Sequence, residues 1–430
     1  MREILDILID DFHERALPDL LSRERSIERK PGKANVVLGM RRTGKTWFCY
    51  QMMEELIASG LEKERLLYLN FEDERLLPFS AADFQLILET YYRKFPAYKD
   101  KRCYLFLDEM QRIEGWDKFV RRILDSEDIS VCVTGSSSKL LSMEIATSLR
   151  GRSLTTEIFP FSFREYLEYK GVKLDKKESY GSKLRATLQS GIGKYLHIGG
   201  FPEIQGYDDE LRRQVLRNYV DVVILRDVVE RHGVKNVAAL RALIKQIFSA
   251  PATRFSVNKF YNTLRSQGVT CTKNDLYSFM DHLADAFLIY QAPIHSRSER
   301  VRRVNPQKVY VVDTGLLEAT SLRITEDRGA ALENLVYLHL RRQGSSPEYY
   351  LTEYGAEVDF VIVEDSRQRR LIQVCWDISE EETRLREFSA LSKAMEELGV
   401  KQGTIVTWMD EGREGKGIEI VPAWKWLVQN

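Results

Sequence analysis

The sequence predicts an α/β fold that opens with a parallel sheet, continues through helices and closes with a smaller α/β domain. Three observations support this. Short apolar runs alternate with helical patterns in the first third of the chain, and a glycine-rich loop follows the first run. From about residue 329 a new helix precedes further strands. The length of 430 residues exceeds what one hydrophobic core usually supports, so two or three domains are expected.

Composition places the chain among soluble globular proteins, with 43% hydrophobic and 30% charged residues. Basic and acidic residues both number 64, so net charge indicates neither a nucleic-acid nor a membrane partner. No apolar segment reaches the roughly 20 residues of a spanning helix, and the acidic N-terminus does not resemble a signal peptide. A cytoplasmic protein without a membrane partner is expected. The scattered cysteines, which predict reduced and mostly buried thiols, are Cys49, Cys103, Cys132, Cys271 and Cys375.

The first predicted strand, Ala34–Leu38, runs directly into the pattern G-x-x-x-x-G-K-T at Gly39–Thr46, and a helical pattern follows through Ile57. Such a loop curls its backbone N–H groups around phosphate, and the helix N-terminus adds favourable charge. Lys45 is expected to bridge the β and γ phosphates and Thr46 to hold Mg²⁺. The cofactors predicted are ATP and Mg²⁺, because no guanine-reading motif occurs. The residues expected to bind the nucleotide are Gly39, Arg41, Arg42, Thr43, Gly44, Lys45 and Thr46.

A second strand is predicted at 65–71 and a third at 102–107, where the third ends in Asp108-Glu109. An acid at the carboxyl end of a parallel strand lies near the P-loop, so Asp108 is expected to hold Mg²⁺ together with Thr46. Glu109 is then placed to orient and polarise an attacking water, which indicates hydrolysis. The alternative is a solvated acidic pair at a strand end.

A fourth strand, 129–134, leads into Gly135-Ser136-Ser137-Ser138. Ser136 or Ser137 is the expected γ-phosphate sensor, and a serine-rich turn that caps a helix is the alternative. Arg150 and Arg152 precede a fifth strand at 154–159 and are candidates for an arginine that stabilises the transferring phosphoryl group. That arginine would act in cis or from a neighbouring subunit, which would require an oligomer. Solvent-facing arginines are the alternative.

With these motifs in view, the chain resembles the prokaryotic AAA-like P-loop ATPases that carry a C-terminal nuclease-like domain. The resemblance spans nearly the whole length. The segments that carry it are Gly39–Thr46, Leu107–Gln111, Thr134–Ser138, Phe159–Tyr166 and Gly199–Glu203. It implies an ATPase domain over 1–200, a helical lid with a winged helix over 201–325, and a restriction-endonuclease-like domain over 326–430. It implies no known substrate.

The middle segment predicts helices and a strand pair. An amphipathic lid helix is expected over 218–232, with Tyr219, Val222, Val223, Leu225 and Val229 facing inward. Helices over 256–266 and 272–286 then meet strands at 286–290 and 308–313. Arg297, Arg300, Arg302 and Arg303 lie between the strands, as a basic wing that could contact DNA phosphates. A packing or protein-contact module is the alternative.

The last domain is predicted to contain a helix over 331–342 and strands at 348–351, 357–363 and 371–376. The resemblance implies that Glu333 and Asp359 stand at Mg²⁺-binding positions of a nuclease. Gln373 and Cys375 occupy the places of the family's Glu/Gln-x-Lys. A neutral cysteine cannot supply the lysine's charge, so cleavage is not expected and a retained binding fold is preferred.

The leading hypothesis is a Mg²⁺-dependent ATPase that couples its nucleotide state to a partner, either double-stranded DNA or a protein. A second hypothesis is a slow ATP-dependent signalling or defence switch whose C-terminal domain contacts proteins. A third is an ATP-dependent nuclease, which the missing lysine disfavours.

Overall fold

The computed structural model describes residues 1–136, 149–174, 180–320, 328–364, 368–415 and 417–429. The chain forms two compact units. The first comprises Met1–Phe159 with Asp285–Phe287, and the second comprises Pro160–Ala284 with Leu288–Asn430. No helix within the described ranges is long and apolar enough to cross a membrane.

The first unit is built on a parallel sheet in the order β2-β3-β4-β1-β5. Its strands are β1 Ala34–Leu38, β2 Leu66–Asn70, β3 Cys103–Asp108, β4 Ile129–Gly135 and β5 Ser153–Glu157. The helices that accompany them are Arg2–Glu14, Lys45–Ala58, Phe84–Lys94 and Trp116–Ser126. All five residues of β1 are buried, as expected for a parallel strand covered on both faces. The α/β prediction and its five strands are confirmed.

The core of the first unit fixes the helix that follows the glycine-rich loop. Phe48 and Met52 of this helix pack with Tyr68 of β2, Phe106 of β3 and Cys132 of β4. The five cysteines are free thiols, four of them buried, as predicted. Because β4 lies between β1 and β3, the carboxyl ends of all three strands meet at one edge of the sheet.

The second unit begins with helices and a small antiparallel sheet in the order β6-β8-β7. Its strands are β6 Thr253–Phe255, β7 Ile289–Ala292 and β8 Gln307–Val311. The α-helices up to β8 are Phe163–Tyr169, Ser182–Ile198, Asp209–Val222, Val237–Ser249, Val257–Ser266, Lys273–Asp285 and Glu299–Val304. Ser256 caps one of them by accepting from the backbone N–H of Lys259, as its sequence predicts.

The predicted lid helix is continuous, but Val223–Glu230 forms a π-helix after Asp209–Val222. Val222 and Leu225 are exposed, each at 44%, so their inward placement was wrong. A π-helix holds more residues per turn than an α-helix, so the stripe expected from a period of 3.6 does not follow one face.

The predicted basic wing is also corrected. Glu299–Val304 forms a short helix capped by Ser298, so Arg300, Arg302 and Arg303 lie on a helix rather than in an open loop. Arg302 Nη1 contacts Glu348 Oε1 at 2.8 Å. The winged helix itself stays a prediction.

The unit closes with a mixed sheet in the order β13-β14-β12-β11-β10-β9. Its strands are β9 Glu348–Leu351, β10 Glu357–Val363, β11 Arg369–Cys375, β12 Gly403–Thr407, β13 Gly412–Glu414 and β14 Ile418–Pro422. The helices of this region are Thr314–Thr320, Arg328–Arg342, Glu381–Leu398 and Ala423–Gln429. Because β11 and β12 are parallel, the helix Glu381–Leu398 serves as their crossover. The three predicted C-terminal strands, β9 to β11, are confirmed.

Candidate functional site

The glycine-rich loop has the backbone that anion binding requires. Gly39 has a φ of 145°, and a Cβ there would lie 2.2 Å from the Ile158 carbonyl oxygen, so only glycine fits. Gly44, in the left-handed region at φ 96°, begins the helix Lys45–Ala58 and supplies no side-chain cap. The first turn of that helix also carries no acid. Its N-terminal N–H groups are therefore suited to phosphate.

Lys45 is held inside the loop. Its Nζ donates to the carbonyl oxygens of Gly39 and Met40, both at 3.1 Å, and lies 3.8 Å from Glu109 Oε1. The side chain is only 6% exposed. The positive charge of Lys45 therefore lies inside the loop and close to Glu109.

Asp108 gathers three hydroxyl donors at the end of β3. Its Oδ2 accepts from Thr46 Oγ1 at 2.7 Å and from Tyr68 Oη at 2.9 Å, and its Oδ1 accepts from Thr134 Oγ1. Burial raises the pKa of Asp108 above its ordinary value, while the hydrogen bonds from Thr134, Thr46 and Tyr68 oppose the rise. The structure thus brings together the two residues predicted to hold Mg²⁺.

The site fits Mg²⁺ by its chemistry. Mg²⁺ prefers hard oxygen ligands, and the Thr46 hydroxyl and the Asp108 carboxylate already lie within hydrogen-bonding distance of each other. Both belong to elements fixed by the buried core.

Glu109 adopts the left-handed backbone conformation, with φ 53°. This is uncommon for a residue with a side chain. Its N–H donates to Thr134 Oγ1 at 3.0 Å, and Gln111 Nε2 donates to its Oε2. Glu109 is thus held at its backbone and at one carboxylate oxygen, and its other carboxylate oxygen faces Lys45.

Two residues of this site were not predicted from the sequence. Thr134 closes β4, and its position ahead of a glycine at a strand end could have indicated it. Tyr68 lies within β2, and no local motif marks it.

The serine predicted as a phosphate sensor is buried. Ser136 is 0% exposed, and its Oγ has no hydrogen-bond partner among the described residues. Thr134, two residues before Ser136, instead contacts both Asp108 and Glu109 through its hydroxyl. Ser137, the other candidate, lies outside the described residues.

Three arginines lie at or beside the loop. Arg41 Nη1 donates to Glu72 Oε1 at 3.2 Å, and Arg42 has a left-handed backbone at φ 68°. Arg23, which was not predicted, donates to the Thr43 carbonyl at 2.9 Å and to the Phe159 carbonyl at 2.6 Å. Arg23 therefore braces the loop from the N-terminal segment.

Arg152 does not reach this site within its own chain. The Arg152 carbonyl accepts from the N–H of Ala34 at 2.8 Å, at the start of β1, whereas the loop follows the end of β1. At roughly 3.3 Å per residue the two ends of this strand lie well over 10 Å apart. Arg152 also pairs with Asp125. The expectation of an arginine acting in cis is therefore wrong for Arg152, and for Arg150 it stays a prediction.

The C-terminal acids cluster around an unpredicted lysine. Lys308 Nζ lies 2.7 Å from Glu333 Oε1 and 2.8 Å from both Glu357 Oε1 and Asp359 Oδ1. Position 375 lacks the family's lysine, but β8 brings to the cluster a lysine that was not predicted. Burial lowers the pKa of Lys308, but the carboxylates of Asp359, Glu333 and Glu357 outweigh it and raise the pKa well above its ordinary value.

Gln373 and Cys375, the other two residues predicted at this site, differ in whether they contact the acidic cluster. Gln373 Oε1 accepts from the Asp359 N–H at 3.2 Å, and Gln373 Nε2 donates to Glu387 Oε2 at 2.6 Å. Cys375 instead packs in the hydrophobic core and donates to the Asp377 carbonyl. Burial raises the pKa of the Cys375 thiol to about 11. Gln373 thus belongs to the cluster, and Cys375 does not.

Comparison with known families finds an AAA domain at residues 31–167. Two domains of unknown function, DUF8612 and DUF4143, match residues 189–328 and 328–426. The five-stranded parallel sheet of the first unit is typical of an AAA-type P-loop domain.

Curated relatives match nearly end to end. An uncharacterized protein of Methanocaldococcus jannaschii is 35% identical over 98% of this chain and 94% of its own. An uncharacterized protein of Haemophilus influenzae is 31% identical over 92% of this chain and 94% of its own.

Solved structures are more distant. The Aeropyrum pernix ORC1 protein in complex with DNA is 12% identical, covers 78% of this chain and 91% of its own, and has a TM-score of 0.30. Cdc6p from Pyrobaculum aerophilum is 13% identical, covers 78% and 93%, and has a TM-score of 0.25.

Proposed function

We propose that this chain, which belongs to one family with the Methanocaldococcus jannaschii and Haemophilus influenzae proteins, binds ATP with Mg²⁺ and hydrolyses ATP. The chain carries an AAA domain. One observation carries the proposal. Lys45, Thr46, Asp108 and Glu109, from two separate segments, meet at one edge of the parallel sheet. Phosphate binding, metal binding and water activation each have a residue there.

The chemistry follows from these positions. The loop N–H groups and the helix N-terminus bind the phosphates, and Lys45 exchanges its carbonyl contacts for phosphate oxygens. When bound, Mg²⁺ held by Thr46 and Asp108 supplies charge neutralisation. The Glu109 carboxylate accepts a hydrogen bond from the attacking water and orients it. Gln111 Nε2 donates to that carboxylate and fixes its direction, while the Glu109 backbone N–H donates to Thr134.

The proposed role includes coupling to a partner. Thr134 and Ser136 lie at the end of β4, between the P-loop strand and the strand that carries the acidic pair. The buried Ser136 hydroxyl has no hydrogen-bond partner among the described residues, which suits a group that responds to phosphate. For the partner, Arg297, Arg300 and Arg303 are exposed and offer contacts to DNA phosphates, and a protein partner is the alternative.

Steady-state ATP hydrolysis of Glu109→Gln tests the chemical step. We expect turnover to fall about 100-fold or more, because the amide cannot accept the water's proton, while binding of a fluorescent ATP analogue persists. Glu114→Gln, which changes an exposed glutamate nearby, is the matched control and should retain wild-type turnover. Equal turnover in Glu109→Gln and wild type would refute the assigned role.

Double-stranded and single-stranded DNA, added to the same assay, test the partner. Stimulation that disappears in Arg300→Ala/Arg303→Ala would establish a DNA-coupled ATPase. Turnover that DNA does not change would assign the coupling to a protein partner, and slow turnover under every condition would favour the switch.

A further inference from the structure

Lys308 is a buried cation that lies among three carboxylates. Its ammonium has three N–H donors. Three carboxylates lie within hydrogen-bonding distance, namely Glu333 at 2.7 Å and Glu357 and Asp359 at 2.8 Å. The lysine side chain is 2% exposed. A strand of the three-stranded sheet thus inserts its charge among acids of the helix Arg328–Arg342 and of β10.

The three carboxylates also have further partners within the same unit. Glu333 Oε1 accepts from Tyr310 Oη at 2.8 Å, and Asp359 Oδ2 accepts from the N–H of Val374 at 2.9 Å. Glu357 Oε2 lies 3.0 Å from Arg254 Nε on β6. Each acid therefore contacts at least two donors of the protein itself.

This arrangement does not fit a divalent metal. Mg²⁺ or Ca²⁺ needs several oxygens at about 2.0–2.6 Å from one point. Here Lys308 Nζ occupies the point that the three carboxylates share. An incoming metal ion would have to displace this buried ammonium group. Two cations, Lys308 and Arg254, already offset most of the acidic charge.

The neighbouring residues support the same conclusion. Gln373 turns its amide to Glu387 and its carbonyl to the Asp359 N–H, so it offers no negative ligand. Cys375 packs in the hydrophobic core with Leu391 of the helix Glu381–Leu398.

We propose that Lys308 takes the place of a divalent ion in the Glu333–Glu357–Asp359 cluster, which makes the cluster an internal ion-pair joint rather than a metal-dependent nuclease centre. The joint fastens β8 of the three-stranded sheet to β10 of the six-stranded sheet. The C-terminal domain then acts through its surface and not through hydrolysis of phosphodiesters. This inference is independent of ATP turnover in the first unit.

Mn²⁺ binding to the full chain, followed by electron paramagnetic resonance, tests the joint. We expect wild type and Asp359→Asn to bind equal numbers of ions, with Thr46→Ala identifying any ion held at the P-loop. Lys308→Ala should free the carboxylates and gain one ion that wild type does not bind. The double variant Lys308→Ala/Asp359→Asn should lose that ion again.

Lys393→Ala is the matched control, since it removes an exposed lysine of the same domain and should gain no ion. The proposal is overturned if wild type binds one more ion than Asp359→Asn, or if wild type cleaves DNA with Mn²⁺ and Asp359→Asn does not. A folded Lys308→Ala that gains no ion would also overturn it. If Lys308→Ala does not fold, the ion count of wild type against Asp359→Asn decides.

Discussion

The Asp108 carboxylate shows how separate elements build one functional group. Thr46 comes from the P-loop helix, Thr134 from β4 and Tyr68 from β2, and all three hydroxyls donate to it. Two of these donors belong to segments that the sequence marks. Tyr68 does not, and its ring also packs with Tyr50 at 5.3 Å and Phe12 at 6.0 Å between centroids.

Tyr68→Phe isolates the hydroxyl from the ring. We expect the Mg²⁺ concentration that gives half-maximal ATP hydrolysis to rise about 10-fold or more, since one hydrogen bond to a charged group is worth about 1.5–3 kcal/mol. Turnover at saturating Mg²⁺ should stay within about threefold of wild type, because Tyr68 positions the metal ligand and does not contact the reacting atoms. Tyr104→Phe on β3 is the control. A Mg²⁺ profile that overlays wild type would remove Tyr68 from the site.

At the residue scale the sequence could predict functional residues that belong to a local motif. It could not predict those that are distant in sequence and come together only in the fold. Gly39–Thr46 and Asp108-Glu109 are local patterns with local chemistry. Tyr68 and Asp108 are 40 positions apart, and Lys308 precedes Glu333 by 25. Such pairs depend on sheet order and on packing between elements, which no single segment encodes.

At the scale of elements, the Gly199-Gly200 turn is explained by its packing within the second unit. A Cβ on Gly199 would lie 2.0 Å from Asp313 Oδ1, and one on Gly200 would lie 2.3 Å from the Phe161 carbonyl oxygen. The Gly200 N–H donates to Asp313 Oδ2 at 2.7 Å, and the Gly315 N–H donates to Oδ1 at 2.9 Å. Asp313 thus ties the turn to the start of the helix Thr314–Thr320.

This buried tie predicts a pH dependence of stability. Burial raises the pKa of Asp313 to about 6, from 3.8, although the N–H groups of Gly200 and Gly315 oppose the rise. A raised folded-state pKa contributes stability that is complete below about pH 4 and is lost as pH rises through about 6. The shift corresponds to about 3 kcal/mol.

Asp313→Asn, which is neutral at every pH, should lack this loss. From pH 4 to pH 7 the free energy of unfolding of wild type should therefore fall relative to that of Asp313→Asn, by up to about 3 kcal/mol. Urea titrations of both proteins at several pH values measure the difference. Asp281→Asn, at an exposed aspartate, should track wild type throughout. A constant difference between Asp313→Asn and wild type would contradict the raised pKa.

Helices and strands with a clear apolar period were predictable to within a few residues, as β1 and β10 show. The π-helix Val223–Glu230 was not, because eight residues with a wider turn are too few to show an apolar period of their own. The helix Glu299–Val304 was not predicted because its arginines were interpreted as a basic loop, although Ser298 is a good N-capping residue.

At the scale of the whole molecule, the direction of the parallel strands decides what each sheet edge can do. The carboxyl edge carries the P-loop and the acidic pair, and the amino edge carries the segment before β5. The sequence predicted the α/β class and the strands, because a buried parallel strand reads as a short apolar run. It could not give the insertion of β4 between β1 and β3, which places Thr134 at the site.

Strand direction leads to a prediction about Arg150 and Arg152. Since both precede β5 at the amino edge, we expect Arg150→Ala and Arg152→Ala to hydrolyse ATP within about twofold of wild type when sedimentation shows single chains. An arginine that stabilises the transferring phosphoryl group is worth about 10³-fold or more, so the assay separates the cases clearly. Lys45→Ala, within the P-loop, is the control that must lose activity. A large loss in either arginine variant that appears only at concentrations where the chains associate would place that arginine at the site of a neighbouring copy. A large loss in single chains would contradict the sheet geometry, because the amino and carboxyl edges of one parallel sheet cannot both border the same phosphate.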